Sequence, residues 1–527
     1  MTVSKLWGLG RGFAVLWLML VGLMVGSAAG LNELVVKWTI NTSDVFAPLV
    51  FGGGHLGCQT VWDVDGDGVK ELVFGTRRGS SRRIWCFDAL GRFRWIFPPL
   101  NEAGLLGDPT SKVSIVDVDG DGVYELCFSG RGGRLYVLRG DGSLAWYWDD
   151  PNIGSDIYGP PQAFDVDGDG LVEFFLYDSW GALYRLDHLG RIVWSVKVGS
   201  GGTAQPTIAD VDRDGRYELL LTSEDHFVRC LDAGSGFEKW RFDTGGPMEG
   251  VPVVVADVNQ DGDYEVVVWG DDTAYRPGAV FCLTFAGSPL WEWEIPCEAI
   301  DISSSIRLAQ VLGDVDLDGN LDMVLMSGVG VFCIDVSGDQ ATFKWGVNLS
   351  AWSEEGILPG GVEASCYSSY QLIADVDGDE HLEVLMQVPF PVVVDASDGE
   401  PEAYYVNDYV FLRKPAANGG WWGDVDDDGR SEWVCELEGS FPKTQVYCLT
   451  LNGSFPAASP WPEFYHSAYP GWYQREQDWL TLKGAYSNSL WFPLVMSGEN
   501  LVASSMVSLY LLFRFGCILR RGGKLTF

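Results

Sequence analysis

Asp63-Val64-Asp65-Gly66-Asp67-Gly68-Val69-Lys70-Glu71 decides the fold, because the chain writes this nonapeptide pattern eight times. The copies begin at Asp63, Asp117, Asp165, Asp210, Asp257, Asp314, Asp375 and Asp424, and each places an oxygen-bearing side chain at its first, third, fifth and ninth positions. The first set is Asp63, Asp65, Asp67 and Glu71; the second is Asp117, Asp119, Asp121 and Glu125; the third is Asp165, Asp167, Asp169 and Glu173; the fourth is Asp210, Asp212, Asp214 and Glu218. The fifth is Asp257, Asn259, Asp261 and Glu265; the sixth is Asp314, Asp316, Asp318 and Asp322; the seventh is Asp375, Asp377, Asp379 and Glu383; the eighth is Asp424, Asp426, Asp428 and Glu432.

Alternate carboxylates on a tight loop can face one centre, and a hard cation such as calcium takes six to eight oxygens at about 2.3 to 2.6 Å. The sixth position is glycine in seven copies, as a left-handed turn requires, and Glu380 is the exception. The closing acid falls at position nine instead of twelve, and no amphipathic helix flanks the loop, so this is not an EF-hand. Eight copies with one spacing outweigh the plainer reading of a polar hairpin turn. All thirty-two positions are candidate metal ligands, with room for up to eight calcium ions. Asn259, the shorter Asp322 and Glu380 mark the loops that depart most from the pattern.

Valine stands second in every copy, and the residue after the closing acid is always apolar, from Leu72 to Trp433. The loop therefore joins two buried strands. A third strand and a glycine turn follow, then a fourth strand carrying tryptophan: Gly91 to Trp95, Gly142 to Trp146, Gly190 to Trp194, Gly236 to Trp240 and Gly287 to Trp291. Trp345 and Trp461 come later after their glycines, and Tyr404 or Tyr405 stands in for the seventh. Motif starts are separated by 54, 48, 45, 47, 57, 61 and 49 residues, the size of a four-stranded propeller blade. The prediction is an all-β, four-stranded antiparallel β-propeller of eight blades, seven being the alternative, over residues 31–465. The strand around Trp38 lacks inner strands of its own and is predicted to pair with the last blade and close the ring, which removes an open edge.

The loops resemble the FG-GAP repeats of integrin α-subunit propellers and the related VCBS repeats, whose ligand positions correspond to the first, third, fifth and ninth of each loop. Integrin propellers have seven blades and use calcium loops in only some, whereas eight loops are written here. The tryptophan turns, as in Asp187-His188-Leu189-Gly190-Arg191-Ile192-Val193-Trp194, also resemble the docking motifs of PQQ quinoproteins, without the adjacent cysteines those enzymes often carry.

The formal charge of -38 comes mainly from the motif acids and argues against a nucleic-acid partner. Residues 1–29 read as a signal peptide: Lys5 and Arg11, an apolar run from Phe13 to Met24, then Gly26-Ser27-Ala28-Ala29. An uncleaved anchor is the alternative, and both readings place the repeats at the cell surface or outside it. Sequons stand at Asn41, Asn348 and Asn452. Beyond the repeats, 466–527 forms a C-terminal extension in which residues 501–519, followed by Arg520 and Arg521, are either a membrane tether or part of extra strands packed on the propeller. Cys86, Cys230, Cys282, Cys333 and Cys448 share one column with Val137, Arg185 and Val393, so they read as core residues; Cys435 with Cys448 is the candidate disulfide.

Two function classes follow. The first is a binding or adhesion scaffold for a protein or glycan, with structural calcium and with Trp148, Trp293, Trp352, Trp421 and Trp422 either stacking on sugars or filling wedges between blades. The second is a polysaccharide lyase, since rhamnogalacturonan lyases include eight-bladed calcium propellers. The five histidines, His55, His188, His226, His381 and His466, are scattered, and the chain has no nucleophile elbow, zinc-protease helix or phosphate loop.

Overall fold

Each closing acid opens a strand: Glu71–Thr76, Glu125–Gly130, Glu173–Tyr177, Glu218–Thr222, Glu265–Gly270, Asp322–Ser327, Glu383–Gln387 and Glu432–Glu438. Each of these is the second strand of an antiparallel four-stranded sheet. A short first strand such as Thr60–Trp62 precedes the acidic loop, and third and fourth strands such as Arg83–Asp88 and Phe93–Phe97 follow it. The chain is an eight-bladed β-propeller. The computed structural model describes residues 32–41, most of 60–451 within the blades, and 486–487. Among the described residues the elements delimited in full are all strands.

The alternation rule explains the packing, since first and second strands are buried at nearly every described position whereas fourth strands are mostly exposed or half-buried. Glu173–Tyr177 is buried throughout, but in Glu238–Asp243 only every second residue is shielded. A bulge recurs between the third and fourth strands just after the cysteine column, for example between Cys86 and Phe87 and between Cys333 and Ile334. Opposite that column stands the tryptophan: Cys86 faces Trp95, Val137 faces Trp146, Arg185 faces Trp194 and Cys448 faces Trp38. In the seventh blade Ala403, not a tyrosine, lies opposite Val393, so Tyr404 stands one register position beyond the tryptophan's place.

The predicted clasp is present. Asn32–Asn41 pairs antiparallel with Thr444–Leu451 as the fourth strand of the last blade, and its first residues also pair with Pro401–Tyr404 of the seventh. Across the same junction Lys70 Nζ of the first blade donates to the Asp424 carbonyl at 2.6 Å and to the Asp427 carboxylate at 3.1 Å.

Neighbouring blades are keyed by the tryptophans. Trp95 Nε1 donates to the Gly140 carbonyl of the next blade at 3.0 Å, Trp240 Nε1 to Phe285 at 2.8 Å and Trp345 Nε1 to Ala396 at 2.8 Å. Each ring lies on the turn glycine of that next blade: a Cβ on Gly142 would meet Trp95 at 2.5 Å, and one on Gly287 would meet Trp240 at 2.5 Å. Trp148 packs on Tyr184 and Trp293 on Phe332, both across blade boundaries, and Trp352 joins the core, so these three fill wedges. Trp421 and Trp422 lie in a first strand, Gly420–Gly423.

The cysteine column is core: Cys86, Cys230, Cys282 and Cys333 are buried free thiols, as is Cys127, and Cys448 is buried in the same column. The register sets Cys435 opposite Tyr447 and Cys448 opposite Val434, so the two candidate cysteines are not directly opposed. Tyr486–Ser487 adds a short antiparallel pair to Ser114–Val116, extending the second blade's sheet. Residues 1–29, Trp461 and 501–519 lie outside the described residues, among which no helix is long and apolar enough to cross a membrane.

Candidate metal centres

The acidic loops share one construction. In all eight blades the closing acid accepts a hydrogen bond from the N–H of the second-position valine, from Glu71 with Val64 at 3.1 Å to Glu432 with Val425 at 2.9 Å. That bond fixes one carboxylate oxygen and leaves the other to the loop. In six blades the first-position aspartate accepts the N–H of the sixth-position glycine, as Asp63 does from Gly68 at 2.8 Å. The sixth glycine is left-handed, with φ +86° at Gly68 and +96° at Gly262. The fourth position is left-handed too, at Gly66, Gly120 and Gly168, and in later blades at Arg213, Gln260, Leu317 and Asp427. Two positive-φ residues in nine fold the loop back on its own carboxylates.

Potential ligand oxygens converge as a result. Asp63, Asp65 and Glu71 offer oxygens within 4.8 Å of one another, as do Asp117, Asp119 and Glu125, then Asp165, Asp167 and Glu173, then Asp210, Asp212 and Glu218, and also Asp314, Asp316 and Asp322. These clusters could hold a metal ion. A donor set made of carboxylates suits a hard cation. Among the described residues, the buried Oδ1 atoms of Asp63, Asp210 and Asp257 have no hydrogen-bond partner, and a cation fits those oxygens. A bound ion would supply charge neutralisation among these carboxylates. Blade seven is described only in part, since Asp377 and Asp379 lie outside the described residues.

Electrostatics sharpen the need for positive charge. Burial, with repulsion from the neighbouring aspartates, pushes the Glu125 carboxyl up to about 7, against the pull of the Val118 N–H. Glu71, Glu173, Glu218, Glu265, Asp322 and Glu432 are likewise pushed up to about 7, burial being the main cause.

Among the described residues, five loops meet a cation belonging to the chain itself, which the motif alone did not disclose. Lys37 Nζ lies 2.9 Å from Asp426 and 2.8 Å from both Asp428 and Glu432. Arg94 Nη2 lies 3.1, 2.9 and 3.3 Å from Asp65, Asp67 and Glu71. Lys239 Nζ reaches Asp212 at 2.7 Å and Glu218 at 2.8 Å, and Lys344 Nζ reaches Asp316 at 2.8 Å and Asp322 at 2.7 Å. Arg185 Nη2 lies 2.8 Å from Asp167 and 3.4 Å from Glu173. Burial disfavours the charge of Lys239, but hydrogen bonds to Asp212 and Glu218 outweigh it and hold the ammonium above the ordinary lysine range.

The histidines do not converge. His188 sits in the turn after a third strand and His226 in the turn before one, which puts them at opposite ends of the blades; His55 and His466 lie outside the described residues.

No protein-family model matches the sequence, and no curated protein matches it. Solved structures share its fold. The biofilm matrix protein Bap1 of V. cholerae is 14% identical with a TM-score of 0.58, covering 83% of this chain and 94% of its own. Sqt1 of Saccharomyces cerevisiae is 12% identical with a TM-score of 0.51, covering 80% of this chain and 99% of its own. BamB from Moraxella catarrhalis is 14% identical with a TM-score of 0.46, covering 80% and 98%. At these identities the likeness is one of fold.

Proposed function

We propose that this chain is a secreted or cell-surface calcium-binding β-propeller that serves as a scaffold for binding a protein or glycan partner, its ions holding the blade loops in shape. The convergence of carboxylate oxygens within 4.8 Å in successive loops carries the reading. Calcium suits it because the donors are hard oxygens and calcium is plentiful outside cells. Recognition then falls to the faces of the ring, since a loop closed by four acids leaves little room for a substrate. The likeness to a biofilm matrix protein agrees with a role outside the cell. The FG-GAP and VCBS resemblance belongs to the same reading.

The test is retention of the full chain on immobilised acidic and neutral polysaccharides and on extracellular-matrix proteins, with calcium and with chelator. Calcium-dependent retention without release of ultraviolet-absorbing unsaturated products is expected. Appearance of such products would replace the scaffold with a lyase.

A further inference from the structure

The cations in the loops follow a rule of position. In four blades they stand immediately before the tryptophan column of the fourth strand: Arg94, Lys239, Lys344 and, on the clasp, Lys37. In the third blade that place is Val193, and the cation comes instead from Arg185, opposite Trp194 on the third strand. In the second blade the two places hold Ala145 and Val137, and in the fifth Leu290 and Cys282, all uncharged. The charge has thus moved from one strand to its neighbour in the third blade while still reaching positions three and nine of the loop, Asp167 and Glu173.

We propose that Lys37, Arg94, Arg185, Lys239 and Lys344 are tethered counter-cations that compete with divalent ions for five of the loops, so that ion binding concentrates in the loops without one, foremost the second, Asp117 to Glu125. This rests on the reading of the loops as divalent-ion sites.

Distances support competition over cooperation. Calcium would lie about 2.3 to 2.6 Å from the same carboxylates. A nitrogen 2.7 to 2.9 Å from Asp316 and Asp322, or from Asp426, Asp428 and Glu432, already occupies the space between them. Two cations at one centre would repel strongly there, so either the side chain leaves or the ion stays out. Leaving strands a buried charge: Glu218, Asp322 and Glu432 side chains are fully shielded, and each keeps only its valine N–H and loses its cationic partner when the lysine swings away. Arg94 and Lys239 reach positions three and nine of their loops and leave Asp63 Oδ1 and Asp210 Oδ1, at position one, untouched.

The experiment is equilibrium dialysis of the full chain against millimolar calcium followed by elemental analysis, with Lys239→Met and Ala145→Lys alongside. The wild type is expected to hold about three ions or fewer; Lys239→Met gains about one, and Ala145→Lys, which adds a cation at the equivalent place in the second blade, loses about one. Should Lys239→Met fail to fold, Ala145→Lys carries the test, because it adds charge to a loop of uncompensated acids. About eight ions in the wild type with both variants unchanged would overturn the competition and leave the calcium reading standing. No ion bound by any of the three proteins would overturn both.

Discussion

Gly287→Ala tests the keying of one blade to the next. Gly287 has φ +78°, and a Cβ built there lies 2.5 Å from Trp240 Cδ2 and 2.6 Å from Cε3, deep inside an aromatic ring that cannot bend. The left-handed backbone alone costs alanine about 1 to 2 kcal/mol. The ring must also move, at about 1 to 3 kcal/mol for overpacking, and its 2.8 Å hydrogen bond from Nε1 to the Phe285 carbonyl is put at risk, worth a further 0.5 to 1.5 kcal/mol or so. The expected loss is therefore about 3 to 6 kcal/mol. Gly132→Ala is the control, since Gly132 has φ +76° but its nearest contact is Arg134 Nη1 at 3.9 Å; it should lose only about 1 to 2 kcal/mol. Urea unfolding followed by tryptophan fluorescence reads both. In a Trp240→Ala background the clash is gone, so Gly287→Ala should fall to the cost of the control, giving a coupling energy of about 2 to 4 kcal/mol. Equal losses at Gly287 and Gly132 in the wild-type background, or no coupling in the cycle, would refute the docking.

Chelation should lower the melting temperature: with a dissociation constant of about 10⁻⁴ to 10⁻³ M, each site contributes about 0.4 to 1.4 kcal/mol at millimolar calcium, and an unchanged melt in chelator would count against structural ions. Without calcium, stability should fall as pH rises from 4.5 to about 7, because the buried Glu125 and Glu265 carboxyls are pushed up to about 7 and the native state therefore holds protons that the unfolded chain, near 4.5, has lost. Melts in chelator across that range read it, and rising stability would contradict it. Calcium affinity should strengthen over the same window, since binding requires those carboxyls ionised. The buried thiols at Cys86, Cys127, Cys230, Cys282 and Cys333 should resist a thiol reagent until denaturant is added, burial pushing them well above the ordinary range; fast modification of the native protein would place them at the surface.

The blade plan was legible because the loop and the valine after its first acid are local signals repeated eight times, and the glycine-to-tryptophan turn recurs with one spacing in five blades. Ring closure by the Trp38 strand was legible for a different reason, since a strand with the blade's outer signature and no companions must find them elsewhere. What stayed hidden was long-range. Nothing near Lys37 says that its ammonium enters a loop some 390 residues away. The sign was there in the residue before the tryptophan, basic in four blades, but charge on a fourth strand reads as a solvated face until the loop's position is known. Left-handed geometry at position four was concealed where Arg213, Gln260 and Leu317 replace glycine. Register stayed hidden too: Cys435 stands opposite Tyr447 and Cys448 opposite Val434, which neighbouring strands alone do not determine.

The clasp imposes an order on birth. Asn32–Asn41 emerges from the ribosome early, yet its antiparallel partner Thr444–Leu451 is translated some four hundred residues later. Until then the nascent wheel has a loose spoke and a bare rim, a long interval for a protein made residue by residue. Sealing that seam waits for the eighth blade, whose sheet is completed by a strand made before any of the others.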